Sequence, residues 1–226
     1  IPWCFALCAG PNACSAAAAD HIIGEGRKLG VYVYLIFGEP GRDFLPLLKK
    51  YDDCAFVLFF PAEKMTAALA DEFAPLRNVM TAVSSPQREA LSTACEILRK
   101  RRMLYSVYRT YGPGAEEGEA LLKPDVLHFC ESLHPAFYLL MPDRGERNFL
   151  WKRTVELRAS QQYRFLLMDL GSDMLAASRD VTGEECFAVF LGEDRLLTEK
   201  GKFQGDDFNA LRRPLADVLK AASQTK

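Results

Sequence analysis

Apolar and polar positions alternate along this chain in a regular rhythm of strand-length and helix-length blocks. "GVYVYLIFGEP" is a β-branched and aromatic run closed by Gly38-Glu39-Pro40, and "GRDFLPLLKKYDD" then places Phe44, Leu47 and Leu48 at helical spacing. The pattern repeats. "CAFVLFFP" predicts a buried strand, and "AEKMTAALADEFAPLR" a helix with Met65, Leu69 and Phe73 on one face. "NVMTAV" is a strand, "SPQREALSTACEILRKRR" a helix opened by Ser85 as N-cap with Pro86 behind it, and "MLYSVYRTY" a further strand. A short helical segment follows "GPGAEEG", and "HPAFYLLMPD" is one more apolar run. "IPWCFALCAG" reads as the first strand when its period-2 alternation is followed.

The texture changes beyond "MPDRG". "ERNFLWKRTVELRASQQ" predicts an amphipathic helix, "YRFLLMDL" a strand, and "CFAVFLGEDRLLTEKG" a hairpin turning at Gly192-Glu193-Asp194. "DDFNALRRPLADVLKAASQ" closes the chain as a helix capped by Asp206 or Asp207. Strands alternating with helices imply parallel pairing through right-handed crossovers, which a doubly wound sheet and a β/α barrel both satisfy. The expected organisation is a β/α unit over residues 1–142 and a C-terminal extension of helix, hairpin and helix over residues 143–226, packed on it.

Composition narrows the function classes. The chain has 226 residues, 49% of them apolar, enough for a sizeable core. A net charge of −2, with acidic and basic residues interspersed, advertises no field for nucleic acid or an anionic membrane, so neither is expected as a partner. No apolar run reaches the roughly 18 to 20 residues of a membrane span. The N-terminus lacks the basic region of a signal peptide, and Ile1 is not read as the biological start because no Met precedes it. Seven cysteines, an odd number in a chain of this size, point to a reducing compartment and a cytoplasmic location.

Candidate chemistry sits where strands end and helices begin. Cys4, Cys8 and Cys14 form C-x3-C-x5-C, three thiols that could surround an iron–sulfur cluster. In a strand, Cys4 and Cys8 share a face roughly 13 Å apart, so three-thiolate ligation needs this segment to be a loop. Cys130 and His134, four apart, would share a helix face as a metal pair, with no third ligand beside them. Glu39 and Arg109 stand at strand ends, where they can meet a ligand, a turn or a neighbouring charge. The run Arg99 to Arg102 complements the C-terminal dipole of its helix. No glycine-rich phosphate loop, G-x-S-x-G elbow or H-E-x-x-H pair is present.

Together the pieces "RKLGVYVYLIFGEP", "FVLFFPAE", "LADEFAPLRNVMTAVSS" and "YLLMPDRG" resemble, in order and spacing over residues 14–142, the core of the radical S-adenosylmethionine (radical SAM) superfamily. The hairpin "CFAVFLGEDRLLTEKG" resembles the C-terminal segment of members with an extended tail. The resemblance implies a partial (β/α)6 TIM-type barrel with a small C-terminal α/β extension. It also implies that Gly38, Glu39 and Pro40 are what remains of a Gly-Gly-Glu-Pro turn, with Glu39 at the position that contacts the SAM amino group and Phe37 replacing the first glycine. The family's C-x3-C-x2-C motif is not restored in any frame. Cys14 takes the first position with Ala18 and His21 at the second and third, or Cys4 and Cys8 take the first two with Cys14 three residues late. Pro61-Ala62 replaces an Asn-Gly turn, and the tail hairpin offers only Cys186, upstream of its turn. The expected function is therefore a cluster-free pseudoenzyme without cofactor, binding a protein, peptide or small molecule in the strand-end cleft. The alternative is a working enzyme that holds a [4Fe–4S] cluster through Cys4, Cys8 and Cys14 and cleaves S-adenosylmethionine.

Overall fold

The computed structural model describes residues 1–10, 13–38, 40–112, 114–142 and 150–224. Two compact units divide the chain, one of residues 1–59, 76–79 and 177–226, the other of residues 60–75 and 80–176.

The first unit opens with β1 (Cys4–Ala9), α1 (Ala16–Lys28), β2 (Val33–Gly38), a 3₁₀ turn at Arg42–Phe44 that runs into α2 (Leu45–Lys50), and β3 (Ala55–Pro61), whose last two residues belong to the second unit. Parallel registers join β1 to β2, from Cys4↔Val33 to Ala9↔Gly38, and β2 to β3, from Val33↔Ala55 to Ile36↔Leu58. One face of these strands is closed by helix: Phe5, Tyr34 and Phe56 are buried, and the Tyr34 hydroxyl donates to the Ile23 carbonyl of α1. Gly26 gives α1 its close approach, since a Cβ there would lie 2.5 Å from the Tyr34 hydroxyl oxygen. Phe44, Leu47 and Leu48 are buried as their spacing predicts.

The second unit carries α3 (Ala67–Phe73), β4 (Val79–Ser84, whose first residue lies in the first unit), α4 (Arg88–Lys100), β5 (Tyr105–Tyr111), α5 (Ala115–Ala120), α6 (Pro124–Ser132), β6 (Phe137–Pro142), α7 (Trp151–Ser160) and β7 (Leu166–Asp169). β4, β5, β6 and β7 pair in that order, all parallel. Ser85 does not cap α4: the N-cap position is Gln87, and the Ser85 hydroxyl accepts from the Gln87 amide at 3.0 Å while donating to Glu63. Gln87 is itself extended, with φ −89° and ψ 117°, so the helix starts only at Arg88. Residues 146–149 of the predicted amphipathic helix lie outside the described residues, and the helix itself is α7.

Three elements depart from the sequence expectation. A helix not anticipated, α8 (Leu170–Thr182), follows β7 at once and leads back to the first unit. There the hairpin of β8 (Ala188–Gly192) and β9 (Arg195–Thr198) turns at Glu193-Asp194, and a third strand, β10 (Gly201–Gln204), pairs antiparallel with β9. β8 is parallel to β1, with Phe5↔Ala188 and Leu7↔Phe190, which sets the strand order β10-β9-β8-β1-β2-β3 in this unit. The closing helix is only α9 (Leu215–Gln224). Asp206 and Asp207 do not cap it: they lie in a 3₁₀ turn at Asp206–Phe208, and the Asn209 side chain, which accepts from the Leu211 and Arg212 amides, holds the chain in turns up to Pro214. No helix among the described residues is long and apolar enough to cross a membrane.

Candidate functional site

The predicted cysteine ligands fall at the end of β1 and the start of α1. Cys4 and Cys8 lie on one face of β1, opposite Phe5, Leu7 and Ala9. After residue 10 the chain folds back, so that the Cys14 amide donates to the Cys8 carbonyl at 2.8 Å and Cys14 bridges Ala9 in parallel register. Ser15 then caps α1 by accepting from the Ala18 amide at 3.2 Å, and its hydroxyl donates to Glu193 in the β8–β9 turn at 3.2 Å. A Ser before four alanines is a cap-and-helix signal.

Two of the three thiols are buried, and Cys8 is half-buried. Cys14 is 1% exposed and its Sγ donates to the Phe190 carbonyl of β8 at 3.5 Å. Burial pushes the Cys14 thiol up to about 12, with Cys8 and Glu193 adding to the effect and Arg195 opposing it. Burial likewise pushes Cys4 up to about 12. Cys8 is half-buried; its pKa is raised by burial and held back by the nearby Arg195 guanidinium.

The Gly38 end of β2 has a structural explanation of its own. Its φ is 96°, and a Cβ there would lie 2.2 Å from the Ala9 carbonyl oxygen, so the neighbouring strand alone requires glycine. Phe37 stacks on Phe59 of β3, ring centroids 4.3 Å apart and 23° from parallel. Pro40 is buried, and Glu39 lies outside the described residues.

The other candidates disperse. Cys130 is buried within α6, but His134 lies beyond the end of that helix with φ at 56°, so the two share no helix face. His21 is half-buried on α1. Arg109 donates to the Ser85 carbonyl, and Arg101 pairs with Asp71 at 2.7 Å.

A site that the sequence reading missed lies in the second unit, where β7 meets α8. The buried Asp169 carboxylate accepts from the Tyr111 hydroxyl at 3.2 Å and from the Ser172 hydroxyl at 2.9 Å. Its own amide donates to Asp173 at 3.0 Å, and Arg158 binds both oxygens of Asp173 at 3.0 Å. Burial raises the Asp169 pKa against the lowering effect of these two hydroxyl donors. The signal was legible as Asp169-x-x-Ser172-Asp173, a polar cluster of helix-start type straight after an apolar strand. We read it as a helix cap.

Among solved structures, SuiB of Streptococcus suis in its complex with precursor peptide SuiA superposes with a TM-score of 0.68 at 11% identity, over 100% of this chain and 67% of SuiB. SuiB bound to S-adenosylmethionine gives a TM-score of 0.65 at 11% identity, over 96% of this chain and 63% of SuiB. The fold is radical-SAM-like. The 3-dehydroquinate dehydratase of Geobacillus kaustophilus, at 12% identity and a TM-score of 0.54 over 99% of this chain and 91% of that one, carries the same α/β architecture. The α/β fold expected of a partial (β/α)6 barrel, with strands largely parallel within each unit, is thus the one observed. No protein-family model matches the sequence, and no curated protein matches it either. The chain spans about 63% of the length of the S-adenosylmethionine-bound SuiB structure.

A radical-SAM-like fold raises the question whether a [4Fe–4S] cluster fits here, and the residues do not fit it. Cys4 and Cys8 are separated along a regular strand, and Cys14 is committed to the Phe190 carbonyl. Ala18, which stands at the second motif position in one frame, is 0% exposed in the packing of α1. Among the described residues no three His, Cys, Asp or Glu side chains gather closely enough to hold a metal ion.

Proposed function

We propose that this protein is a cluster-free pseudoenzyme of radical-SAM-like fold, which binds a ligand at the strand ends of β1, β2 and β8 without transforming it. The observation that carries the reading is the buried Cys14 thiol, turned to the Phe190 carbonyl where a ligand to iron would have to be free. Two further features support it. The Phe37–Phe59 stack stands where the resemblance puts a glycine beside SAM, and Gly38 is accounted for by the Ala9 carbonyl. The fold is independent of these losses, because burial of strand and helix faces at roughly 25 cal/mol per Å² is untouched by them. Cytoplasmic location, from the seven unpaired thiols, is part of the same proposal.

Calorimetric titration with S-adenosylmethionine, before and after anaerobic treatment with iron and sulfide, tests the reading. It predicts no saturable heat in either state. Saturable SAM binding that appears only after reconstitution would instead favour the enzyme holding a cluster through Cys4, Cys8 and Cys14.

A further inference from the structure

A cavity of about 590 Å³ opens in the second unit, where α6 and α7 end and β6 and β7 begin. Its size falls within the roughly 300 to 1,000 Å³ of small-molecule sites. Two of the chain's three histidines, His128 and His134, line it together with Gln161, Gln162, Tyr163 and Arg164.

The backbone presents two of these side chains against its own preference. Among the described residues Arg102, His134 and Gln161 are the non-glycine residues with positive φ, and two of those three line this cavity, His134 at 56° and Gln161 at 51°. His134 stands just past the end of α6 and Gln161 at the end of α7, places where glycine is the usual residue because a Cβ is strained in the left-handed region. The side chains held there are free. Among the described residues the side chains of His134, Gln161, Gln162 and Arg164 make no hydrogen bond or ion pair within the protein. Tyr163 is half-buried, its ring stacked on Phe165 at 5.4 Å and 15° and meeting His128 edge-on at 5.5 Å. The acid in the lining, Glu131, accepts from the Arg164 amide at 3.1 Å and lies 3.7 Å from His128 Nδ1.

We propose that this cavity binds a neutral saccharide, its hydroxyls on His134, Gln161, Gln162 and Arg164 and a C–H face of its ring against Tyr163. A hydroxyl both donates and accepts, and the lining offers both: Arg164 only donates, Glu131 only accepts, and the two amides do each. Arg164 and Glu131 offset one another in charge, so neither a phosphate nor a cation is favoured. The His128–Glu131 pair does not make a metal site, because among the described residues no three His, Cys, Asp or Glu side chains gather closely enough to hold an ion. A wholly apolar ligand would take these polar groups from water and pair none of them. The Tyr163 ring supplies the apolar contact that a sugar needs on one face.

Saturation-transfer NMR on the whole protein, with glucose, galactose, mannose, maltose, cellobiose and lactose as probes, tests the proposal. At least one is expected to show saturable transfer. The double variant H134G/Q161G removes both side chains and relieves both positive φ angles, so its thermal midpoint should be unchanged or higher while its affinity for that sugar falls about tenfold. Arg164→Ala, at an exposed position, should weaken the same sugar about fivefold and serves as the second variant. No transfer to any of the six sugars would overturn the proposal. So would an affinity within about twofold of the unaltered protein in both variants, or tighter binding of inorganic phosphate or zinc ion than of every sugar. The cluster-free reading fails separately, since iron uptake at the thiols of β1 leaves this result unchanged.

Discussion

Two strand ends of this protein do opposite things with their polar groups. At β7, a carboxylate is buried within a hydrogen-bonded network: Tyr111 and Ser172 donate to Asp169, Asp173 takes its amide, and Arg158 holds Asp173. At β1, the groups that invited a metal are the ones packed away, with Cys14 on a carbonyl and Cys4 in the strand interior. The lesson is that a residue type with a chemical history is not a site until its lone pairs are free. Conversely, a residue cluster with no history can form a connected polar network.

The comparison can be broken most forcefully at β7. Asp173→Ala removes both the partner of Arg158 and the acceptor for the Asp169 amide, and should cost about 3 kcal/mol, measured as a shift of the urea midpoint. At the other end, Gly38→Ala sets a Cβ against the Ala9 carbonyl at a positive φ, for an expected loss of about 2 kcal/mol by the same assay. Phe37→Ala deletes one ring of the stack with Phe59 and should cost about 1 kcal/mol, half-exposure keeping the loss small.

A finer contrast comes from pH. Asp169 has its pKa raised in the folded protein above the ordinary 3.8, so the stability linked to its protonated form is fully present below 3.8 and lost as pH rises through the folded pKa. Asp169→Asn cannot ionise. Its stability relative to the wild type should therefore climb as pH is raised from 4 upward, read from thermal midpoints of the two proteins across that range. A difference independent of pH would remove the charge-burial account of the β7 cluster.

Much of the fold was legible because its signals are local and repeated. The runs at β2, β3 and β6 carry apolar side chains at nearly every position, the mark of strands with little contact with water. What escaped depended on partners remote in sequence. β10 is only Gly201 to Gln204 and exists by pairing with β9, and β8 is fixed by its parallel register with β1, more than 170 residues earlier. Ser85 seemed to mark a helix start that comes only at Arg88, and Asp206 and Asp207 advertised a cap for a helix that begins at Leu215. For the site, the sequence supplied the residues but not their fates. The spacing of Cys4, Cys8 and Cys14 contains no hint that Phe190 would offer Cys14 a carbonyl.

The central claim is that the thiols at the end of β1 serve packing and not iron. Anaerobic reconstitution with iron and sulfide, followed by gel filtration, iron analysis and a visible spectrum, tests it most directly. The account predicts a colourless protein with no bound iron, and the same result for Cys14→Ala. About four irons per chain with a broad charge-transfer absorbance, as a cubane cluster requires, lost on Cys14→Ala, would contradict it.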